Sequence, residues 1–369
     1  MSLLFSPIQL GGLRLRNRIA VSPMCQYSAV DGAAQPWHWQ HLGSLALSGA
    51  GVVITEATSV ASEGRISPPD LGLWSDEHQA LLTSLIEDVH SYCDTPFGVQ
   101  LAHAGRKAST ARPWDGVGAV APANGGWTPV GPTDEPFDET YPLPAALDLE
   151  GITRIRAAFV KAAERADACG FDLVELHGAH GYLLHEFYSP LSNHRADDYG
   201  GSFENRVRFA LEIARDVRAV WPRSKALGMR ITGSDWTEGG WTPEDAVRLA
   251  ALLKAEGLDY VCVTSGGVAP KIRIPGSEPG YQVPFAAKVK AETGIPTMSV
   301  GMIVTAHQAE EILASGKADM VALARAMLDD PRWALHAAAA LGDEAAYPPQ
   351  YERAAAKYWP GYSRARSGD

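Results

Sequence analysis

Predominantly apolar runs rich in β-strand formers recur along the chain and alternate with segments of helical character. Eight such runs occupy residues 17–24, 51–58, 97–105, 171–179, 227–235, 259–267, 295–302 and 318–326. Strands that are buried on both faces and alternate with helices are typical of a parallel sheet. Eight of these units favour an α/β fold of one specific kind, a single (β/α)8 TIM barrel, over an open doubly wound sheet.

Several of the intervening helices have recognisable boundaries. Thr242 followed by Pro243 predicts an N-cap with proline at the first helical position. Thr305 with Gln308 predicts a capping box, and Gly316 is expected to end the same helix. Residues 152–169 place a set of apolar side chains on one helical face, and these are Ile152, Ile155, Phe159 and Ala163.

Residues 106–150 interrupt this alternation, because they are rich in Pro, Gly and Trp and have no helical period. A loop this long in a compact domain is usually functional. Since it follows the third strand, we expect it to fold over the barrel mouth as a partial lid, although a passive surface excursion is the alternative. No linker divides the chain, so residues 1–369 are predicted to form one domain with a C-terminal tail at 341–369.

Composition narrows the functional classes. The chain has 369 residues, 46% of them hydrophobic, and a net charge of -11, which argues against nucleic acid as a partner. No uncharged apolar run approaches the roughly 20 residues of a membrane span. No signal peptide is recognisable at the N-terminus. Four scattered cysteines suit reduced thiols, so a cytoplasmic location is expected; they are Cys25, Cys93, Cys169 and Cys262.

The carboxyl ends of barrel strands are where the chemistry of this fold gathers. The residues expected there are Ser22 to Cys25, Glu56 to Thr58, Gln100, His103, His177, His180, Tyr182, Arg230, Ser265 to Gly267, Gly301 and Arg325. The set contains few carboxylates, and two histidines do not complete a zinc site. No metal is therefore predicted. The histidines could instead polarise a substrate or satisfy backbone groups.

Two positions indicate an anionic ligand. The seventh and eighth strands of such barrels commonly bind phosphate, where Gly301 would allow close backbone approach and Arg325 would grip the anion. Gly301 could equally serve only to form a turn. Arg230 points a permanent cation into the mouth, and a cofactor that accumulates negative charge would be a suitable partner.

Five segments together resemble the Old Yellow Enzyme family of FMN-dependent ene-reductases, in its thermophilic-like subgroup. They are "LRNRIAVSPMCQYS", "EAT", "QLAHAGRKA", "HGAHGYLLHEFYSPLSNHRADDYGGSFENRVRF" and "ALARAMLDDPRW". The resemblance runs essentially from end to end. The chain departs from it at Ala324, where many relatives have glycine, and in a longer, more basic tail.

The resemblance implies FMN as cofactor. It places Ser22, Pro23, Met24 and Cys25 along one side of the flavin, Ala57 and Gln100 at its pyrimidine edge, Arg230 near N1, and Gly301, Ala324 and Arg325 at the phosphate. The Cys25 thiol would adjust the flavin's reduction potential. Without the resemblance, a lone cysteine on a strand would more often be a small core residue.

The resemblance also answers the question of the histidines. It implies that His177 and His180 donate hydrogen bonds to the carbonyl oxygen of an enone-type substrate, where negative charge develops. Tyr182 would deliver the proton to the α-carbon. Tyr27 would face the substrate from the other side. Lys107 would lie near the site entrance, unless it is a solvated surface charge.

NADPH or NADH would be the reductant, with FMN passing hydride to the β-carbon of α,β-unsaturated carbonyl or related nitro compounds. The resemblance further implies a homodimer or homotetramer in which Arg353 reaches a neighbouring site; a frayed polar terminus is the alternative. Three other functions stay open: a dihydrouridine synthase acting on tRNA, a metal-dependent hydrolase and a non-catalytic ligand-binding barrel.

Overall fold

Eight parallel strands close into a barrel in the computed structural model, which describes residues 2–272, 274 and 278–365. Labelled β1 to β8 in chain order, they span Ile19–Val21, Val52–Ser59, Phe97–Ala102, Leu173–Gly178, Ala226–Thr232, Tyr260–Thr264, Thr297–Val300 and Met320–Leu323. Each strand pairs with the next, and β8 closes on β1 through Ala322 and Ala20. The predicted TIM barrel is confirmed, with one strand at each of the eight apolar runs.

The described residues contain ten α-helices outside the barrel, labelled α1 to α10. They span Pro36–Ala46, Asp76–His90, Leu149–Ala168, Leu183–Tyr188, Phe203–Val220, Pro243–Ala255, Val283–Thr293, Ala306–Ala314, Arg325–Asp329 and Trp333–Ala340. The predicted apolar face of α3 is buried against the barrel. Within the described ranges, no helix has both the length and the apolar character needed to cross a bilayer.

The predicted helix boundaries are largely as expected. The Thr242 side chain accepts the N–H of Asp245, and the reciprocal contact completes a capping box at α6. The Thr305 side chain likewise accepts the N–H of Gln308. The Gln308 side chain, however, accepts the N–H of Val304, at 2.9 Å, rather than that of Thr305. The reciprocal half of that predicted box is therefore displaced by one residue.

A short antiparallel hairpin, Ile8–Leu10 with Leu13–Leu15, precedes the barrel and is absent from the sequence predictions. Its Leu10 and Leu15 are fully buried and belong to the same apolar cluster as Leu173 of β4 and Tyr260 of β6, at the starts of those strands. The hairpin thus closes the amino-terminal end of the barrel interior. The carboxyl-terminal end is left for the site.

The excursion after β3 contains little regular structure. It has 3-10 turns at Gly105–Lys107 and Pro122–Asn124 and a two-residue parallel pairing of Val130–Gly131 with Ala145–Ala146. Helix α3 begins at Leu149, so the predicted segment 106–150 runs two residues too far. Within the excursion, the Trp114 ring meets the Tyr27 ring edge to face, with centroids 5.6 Å apart. The excursion therefore reaches the carboxyl ends of the strands, and its action as a lid stays a prediction.

Candidate active site

His177, His180 and Tyr182 lie together where β4 ends. The ring centroids of His177 and His180 are 5.2 Å apart, and those of His177 and Tyr182 are 5.0 Å apart, both pairs edge to face. A tight turn makes this possible, since His180 and Gly181 both have positive φ, +60° and +71°. The structure therefore gathers the three residues that the sequence assigned to substrate chemistry.

The turn is held from behind by α4. The Gly181 N–H donates to His185 Nδ1 at 2.8 Å, and His185 Nε2 lies 3.0 Å from Asp235 Oδ1. A Cβ at Gly181 would overlap the Gly267 carbonyl oxygen, so only glycine fits there. Neither His185 nor Asp235 is among the predicted site residues, because their contact joins α4 to the loop after β5 across 50 positions.

Both candidate histidines are uncharged at neutral pH. Burial, followed by the nearby Arg230 cation, lowers the pKa of His177 and of His180 well below the usual value. A neutral imidazole has one N–H donor and one acceptor nitrogen. His177 Nδ1 is buried and has no hydrogen-bond partner among the described residues, so this ring keeps hydrogen-bonding capacity for a ligand.

His180 is more constrained. Its Nε2 lies 3.0 Å from Thr264 Oγ1, and the Thr264 hydroxyl donates to Gln282 Oε1, also at 3.0 Å. The Thr264 hydroxyl has one proton and donates it to Gln282, so it accepts in its contact with His180. The proton of the His180 ring is therefore assigned to Nε2, which donates to Thr264. A ligand carbonyl that takes a hydrogen bond from His180 must therefore compete with Thr264, whereas His177 faces no such competition.

Arg230 is a buried cation on β5, 6% exposed. Its Nη1 donates to Ser22 Oγ at 3.1 Å, while its Nε is buried without a hydrogen-bond partner among the described residues. No carboxylate of those residues lies within ion-pair distance of it. A buried guanidinium in this state is suited to a ligand that bears or gains negative charge.

Two further predicted residues lie on β2 and β3. Ala57 of β2 and Gln100 of β3 are direct register partners. The Gln100 side chain donates to Glu175 Oε1 at 2.7 Å, and the Tyr260 hydroxyl donates to Glu175 Oε2 at 3.2 Å. Burial raises the pKa of Glu175, so its charge is disfavoured. Among the described residues, no three His, Cys, Asp or Glu side chains form a group able to hold a metal ion.

The segment after β1 lines the opposite side of the mouth. The buried Ser22 donates its N–H to Leu323 O at 2.9 Å, which fixes the start of the Ser22, Pro23, Met24 and Cys25 stretch against β8. Burial, then the charges of Asp70 and Glu56, raises the pKa of Cys25 well above the usual value. The thiol therefore stays protonated.

A glycine-lined corner closes the site between β7 and β8. Gly301, directly after β7, has φ +106°, and a Cβ there would collide with the end of the Gln282 side chain. Ala324 directly follows β8, and Arg325 opens α9. Since β7 and β8 are paired, the three predicted phosphate residues share one corner, and the Arg325 guanidinium is exposed.

Lys107 is part of the site and not a solvated charge, so that alternative is wrong. Its Nζ donates to His180 O at 2.8 Å and Gly267 O at 3.0 Å. The ammonium also lies 5.0 Å from the Tyr182 ring centroid. Burial lowers the pKa of Lys107 to about 8. The side chain thus ties the loops after β3, β4 and β6 together beside Tyr182.

Arg353 lies elsewhere. It belongs to an exposed 3-10 turn, Pro349–Ala354. Immediately before this turn, Tyr347 lines a groove with Gly49 and Asp94, which precede β2 and β3. The tail therefore starts at the amino-terminal end of the barrel, opposite the histidines. The structure does not bring Arg353 together with the other predicted site residues of the same chain.

A TIM barrel whose mouth contains a buried cation without an ion pair, neutral histidines and a glycine corner has the features of an enzyme that binds an anionic cofactor. Residues 3–344 match the model of the NADH:flavin oxidoreductase / NADH oxidase family. The chain belongs to this family, that of the Old Yellow Enzymes. Membership confirms the predicted oxidoreductase class and the flavin cofactor, and it rules out the hydrolase and the non-catalytic barrel.

Relatives of known name and structure agree with this assignment. The chain is 45% identical over 353 residues to an NADPH dehydrogenase of Bacillus pumilus (strain SAFR-032), covering 95% of this chain and 98% of that one. It is 44% identical to an NADPH dehydrogenase of Geobacillus sp. (strain WCH70), with the same coverage.

Among solved structures, morphinone reductase superimposes with a TM-score of 0.76 at 28% identity, over 95% of this chain and 92% of that chain. A 2-naphthoyl-CoA reductase complex gives a TM-score of 0.82 at 25% identity over 92% of this chain. This chain spans only 52% of that larger protein.

The residues at the mouth fit FMN. The orphaned Nε of Arg230 and the unpartnered Nδ1 of His177 are buried polar atoms that a ligand in the mouth would satisfy. The positive φ of Gly301 allows a phosphate to approach the backbone closely. The chain therefore offers hydrogen-bonding groups at both the ring end and the phosphate end of such a molecule.

Proposed function

We propose that the protein is an NAD(P)H-dependent ene-reductase that saturates the C=C bond of α,β-unsaturated carbonyl compounds. The observation that carries the proposal is the grouping of a neutral His177, which has free hydrogen-bonding capacity, with Tyr182 at the mouth of the barrel. A neutral donor and a protonated phenol are the two groups that such a reduction requires from the protein.

FMN would be held along β1 to β3 and at the β7–β8 corner, with these contacts: Ser22, Pro23, Met24 and Cys25 on one side, Ala57 and Gln100 at the pyrimidine edge, Arg230 near N1, and Gly301, Ala324 and Arg325 at the phosphate. When bound, FMN supplies the hydride that it takes from NAD(P)H. Arg230 favours this chemistry because no carboxylate of the described residues lies within ion-pair distance of its guanidinium.

The histidines would bind the substrate carbonyl oxygen. Hydride arrival at the β-carbon moves negative charge onto that oxygen, and His177, aided by His180, stabilises it there. Being uncharged, the rings also leave the resting site free of extra positive charge. Tyr27 would cover the substrate from the β1 side, next to Trp114.

Tyr182 would donate the proton to the α-carbon. Burial raises the pKa of Tyr182 well above its usual value, so the phenol stays protonated until a strongly basic carbon develops beside it. The Lys107 ammonium over the ring holds Tyr182 in place.

NADPH is the proposed reductant, because the similar bacterial proteins are named NADPH dehydrogenases. A morphinone reductase complex with tetrahydroNAD gives a TM-score of 0.75 at 27% identity. We infer that nicotinamide and enone use the same mouth in turn. We further infer a cytoplasmic location, where the four free cysteines would stay reduced.

The proposal is tested with cyclohexenone and NADPH under anaerobic conditions. Wild-type protein is expected to form the saturated ketone, and His177→Ala is expected to reduce the rate of enone reduction about 100-fold, the scale for removal of an oxyanion donor. His180→Ala should lose less, since His180 is engaged with Thr264. Exposed His307→Ala is the matched control.

Retention of FMN by all variants, read from the flavin spectrum, separates substrate binding from folding. A wild-type enzyme that consumes NADPH without reducing the enone would contradict the proposed function. So would a His177→Ala variant with the wild-type rate.

A further inference from the structure

Asp70 is a buried carboxyl that the mechanism above leaves unused. It is 1% exposed and lies between β2 and α2. Its Oδ2 accepts the N–H of Ile66 at 2.7 Å and of Ser67 at 3.3 Å. Its Oδ1 is buried and has no hydrogen-bond partner among the described residues. A purely structural role of Asp70 in fixing this loop would need only Oδ2.

A small cavity joins Asp70 to Tyr182. It measures about 10 Å³ and is lined by these two residues together with mostly small side chains, including Ala57, Ala102 and Ala104. A cavity of this size is at the lower limit for holding one water. Its lining includes three side chains with polar groups, Asp70, Tyr182 and Ser59, and the first two are the partners that we infer for such a water.

The carboxyl carries a proton at neutral pH. Burial, reinforced by the Glu56 charge, raises the pKa of Asp70 to about 8, while the two backbone N–H groups and Arg65 act in the opposite direction. The other groups coupled electrostatically to Asp70, the Cys25 thiol and the phenols of Tyr27 and Tyr182, are uncharged, because their pKa values are raised by burial.

We propose that Asp70 returns a proton to Tyr182 after each turnover, through one water in the shared cavity. This inference rests on the proposed function, in which Tyr182 has given its proton to the substrate α-carbon and is left as a phenolate. The Asp70 O–H bond breaks, the water passes one proton on, and the Tyr182 O–H bond forms again. Solvent then reprotonates the Asp70 carboxylate. Asp70 touches neither substrate nor flavin and acts through Tyr182.

The pH dependence follows directly. Below about pH 8 Asp70 holds a proton and can restore Tyr182. Above it the carboxylate has none to give, whereas Tyr182 itself starts each experiment protonated because its pKa is much higher. Loss of the Asp70 proton should therefore leave the first turnover unchanged and slow only the later turnovers. The Lys107 ammonium beside Tyr182 also has a pKa of about 8, and its deprotonation would change both phases alike.

The experiment compares the first turnover with the steady rate for Asp70→Asn holoenzyme, using cyclohexenone and saturating NADPH at pH 7. The first turnover should keep its wild-type rate, and the steady rate should fall roughly 10-fold or more, the lower range for losing an acid–base group. In the Tyr182→Phe background, Asp70→Asn should have no further effect. Asp94→Asn, whose side chain is 96% exposed, is the matched control.

Infrared titration of the holoenzyme gives a readout that does not depend on activity. The buried Glu186 carboxyl also has a pKa of about 8 and contributes a protonated carboxyl band to both proteins. A further band that titrates near pH 8 in wild type and is missing from Asp70→Asn supports the proposal. Absence of that band, or an Asp70→Asn variant whose first and later turnovers slow equally, overturns it, since equal slowing indicates a structural role.

Wild-type enzyme alone provides a second test if Asp70→Asn does not fold. A fast first turnover followed by a slow steady rate should develop above pH 8, with flavin reduction by NADPH unchanged. Identical pH dependence of both phases would overturn the proposal. Failure of the proposed function looks different, because wild type would then show no first turnover with enone at any pH.

Discussion

Burial in the barrel mouth sets the charge of the titratable groups there, and the Arg230 cation adds to this effect at the two histidines. At neutral pH His177 and His180 are neutral imidazoles, and the Cys25 thiol and the Tyr182 phenol are protonated. The site therefore contains uncharged donors around one permanent cation. This arrangement suits a reaction in which negative charge appears transiently on both cofactor and substrate.

Among individual residues, the sequence predicted those at strand ends and missed those whose contacts are with residues distant in the sequence. His177 and Arg230 lie near the ends of apolar strands, so the sequence pattern alone identifies them as candidates. Asp70 lies in a loop with no period, and its importance comes from the distant Tyr182. The competition of Thr264 for His180 was equally invisible, since it depends on a hydroxyl 84 positions away.

Cys25 provides a prediction at the residue scale. Its thiol stays protonated because burial, which raises the pKa, outweighs the effects of Tyr27 and the Ala57 backbone, which lower it. Cys25→Ser replaces a weak, polarisable donor by a stronger one at the proposed flavin site, so the reduction potential should shift while both half-reactions persist. Potentiometric titration of the holoenzyme measures this. An unchanged potential would assign Cys25 to packing alone.

The turn between β4 and α4 is the element on which the site depends. It combines two consecutive positive φ values, at His180 and Gly181, with anchoring by His185 and by the Lys107 ammonium. The sequence revealed the strand and the functional side chains, but not the turn conformation. That conformation is fixed by contacts with the β3 and β6 loops, which a local pattern does not contain.

Elements were predicted where the apolar pattern is long and missed where it is short. All eight barrel strands and the starts of α6 and α8 follow from runs and caps, whereas α3 begins at Leu149, before the predicted 152–169. The hairpin Ile8–Leu10 with Leu13–Leu15 has strands of only three residues, too few to establish alternation. Its stability comes from the barrel interior that it plugs.

Gly181→Ala tests the turn. The added methyl would overlap the Gly267 carbonyl oxygen and require a strained φ, so the turn must shift. Enone reduction should fall at least about 10-fold, on the argument that small misplacements of catalytic groups cost rate steeply, while FMN stays bound. Gly316→Ala, also at positive φ but with open space around it, is the control. Wild-type activity of Gly181→Ala would show that the turn tolerates displacement.

At the scale of the whole molecule, the C-terminal tail leaves the barrel on the face away from its own histidines. It exposes three large aromatic side chains, and these are Tyr351, Tyr358 and Trp359, between 40% and 54% exposed. Exposed aromatic residues are enriched at protein–protein interfaces. The prediction of a homodimer or homotetramer in which Arg353 enters a neighbouring site therefore stands as a proposal that the tail's position favours.

Mixed subunits test this sharing. Arg353→Ala and Tyr182→Phe subunits should each form weakly active homodimers. In a closed dimer with shared sites, a mixed pair contains one site with both lesions and one with neither, so activity should return. The control is Tyr182→Phe protein that has been mixed only with itself by the same procedure. Verified mixed dimers that recover no activity would contradict a shared site.

We propose that this barrel mouth reduces enones with Tyr182 as the proton donor. Rapid kinetics of the Tyr182→Phe variant test this directly. The change removes the hydroxyl and keeps the ring under Lys107. Flavin reduction by NADPH should keep its wild-type rate, and flavin reoxidation by cyclohexenone should slow about 100-fold or more. Equal slowing of both half-reactions, or no slowing of reoxidation, would contradict the account.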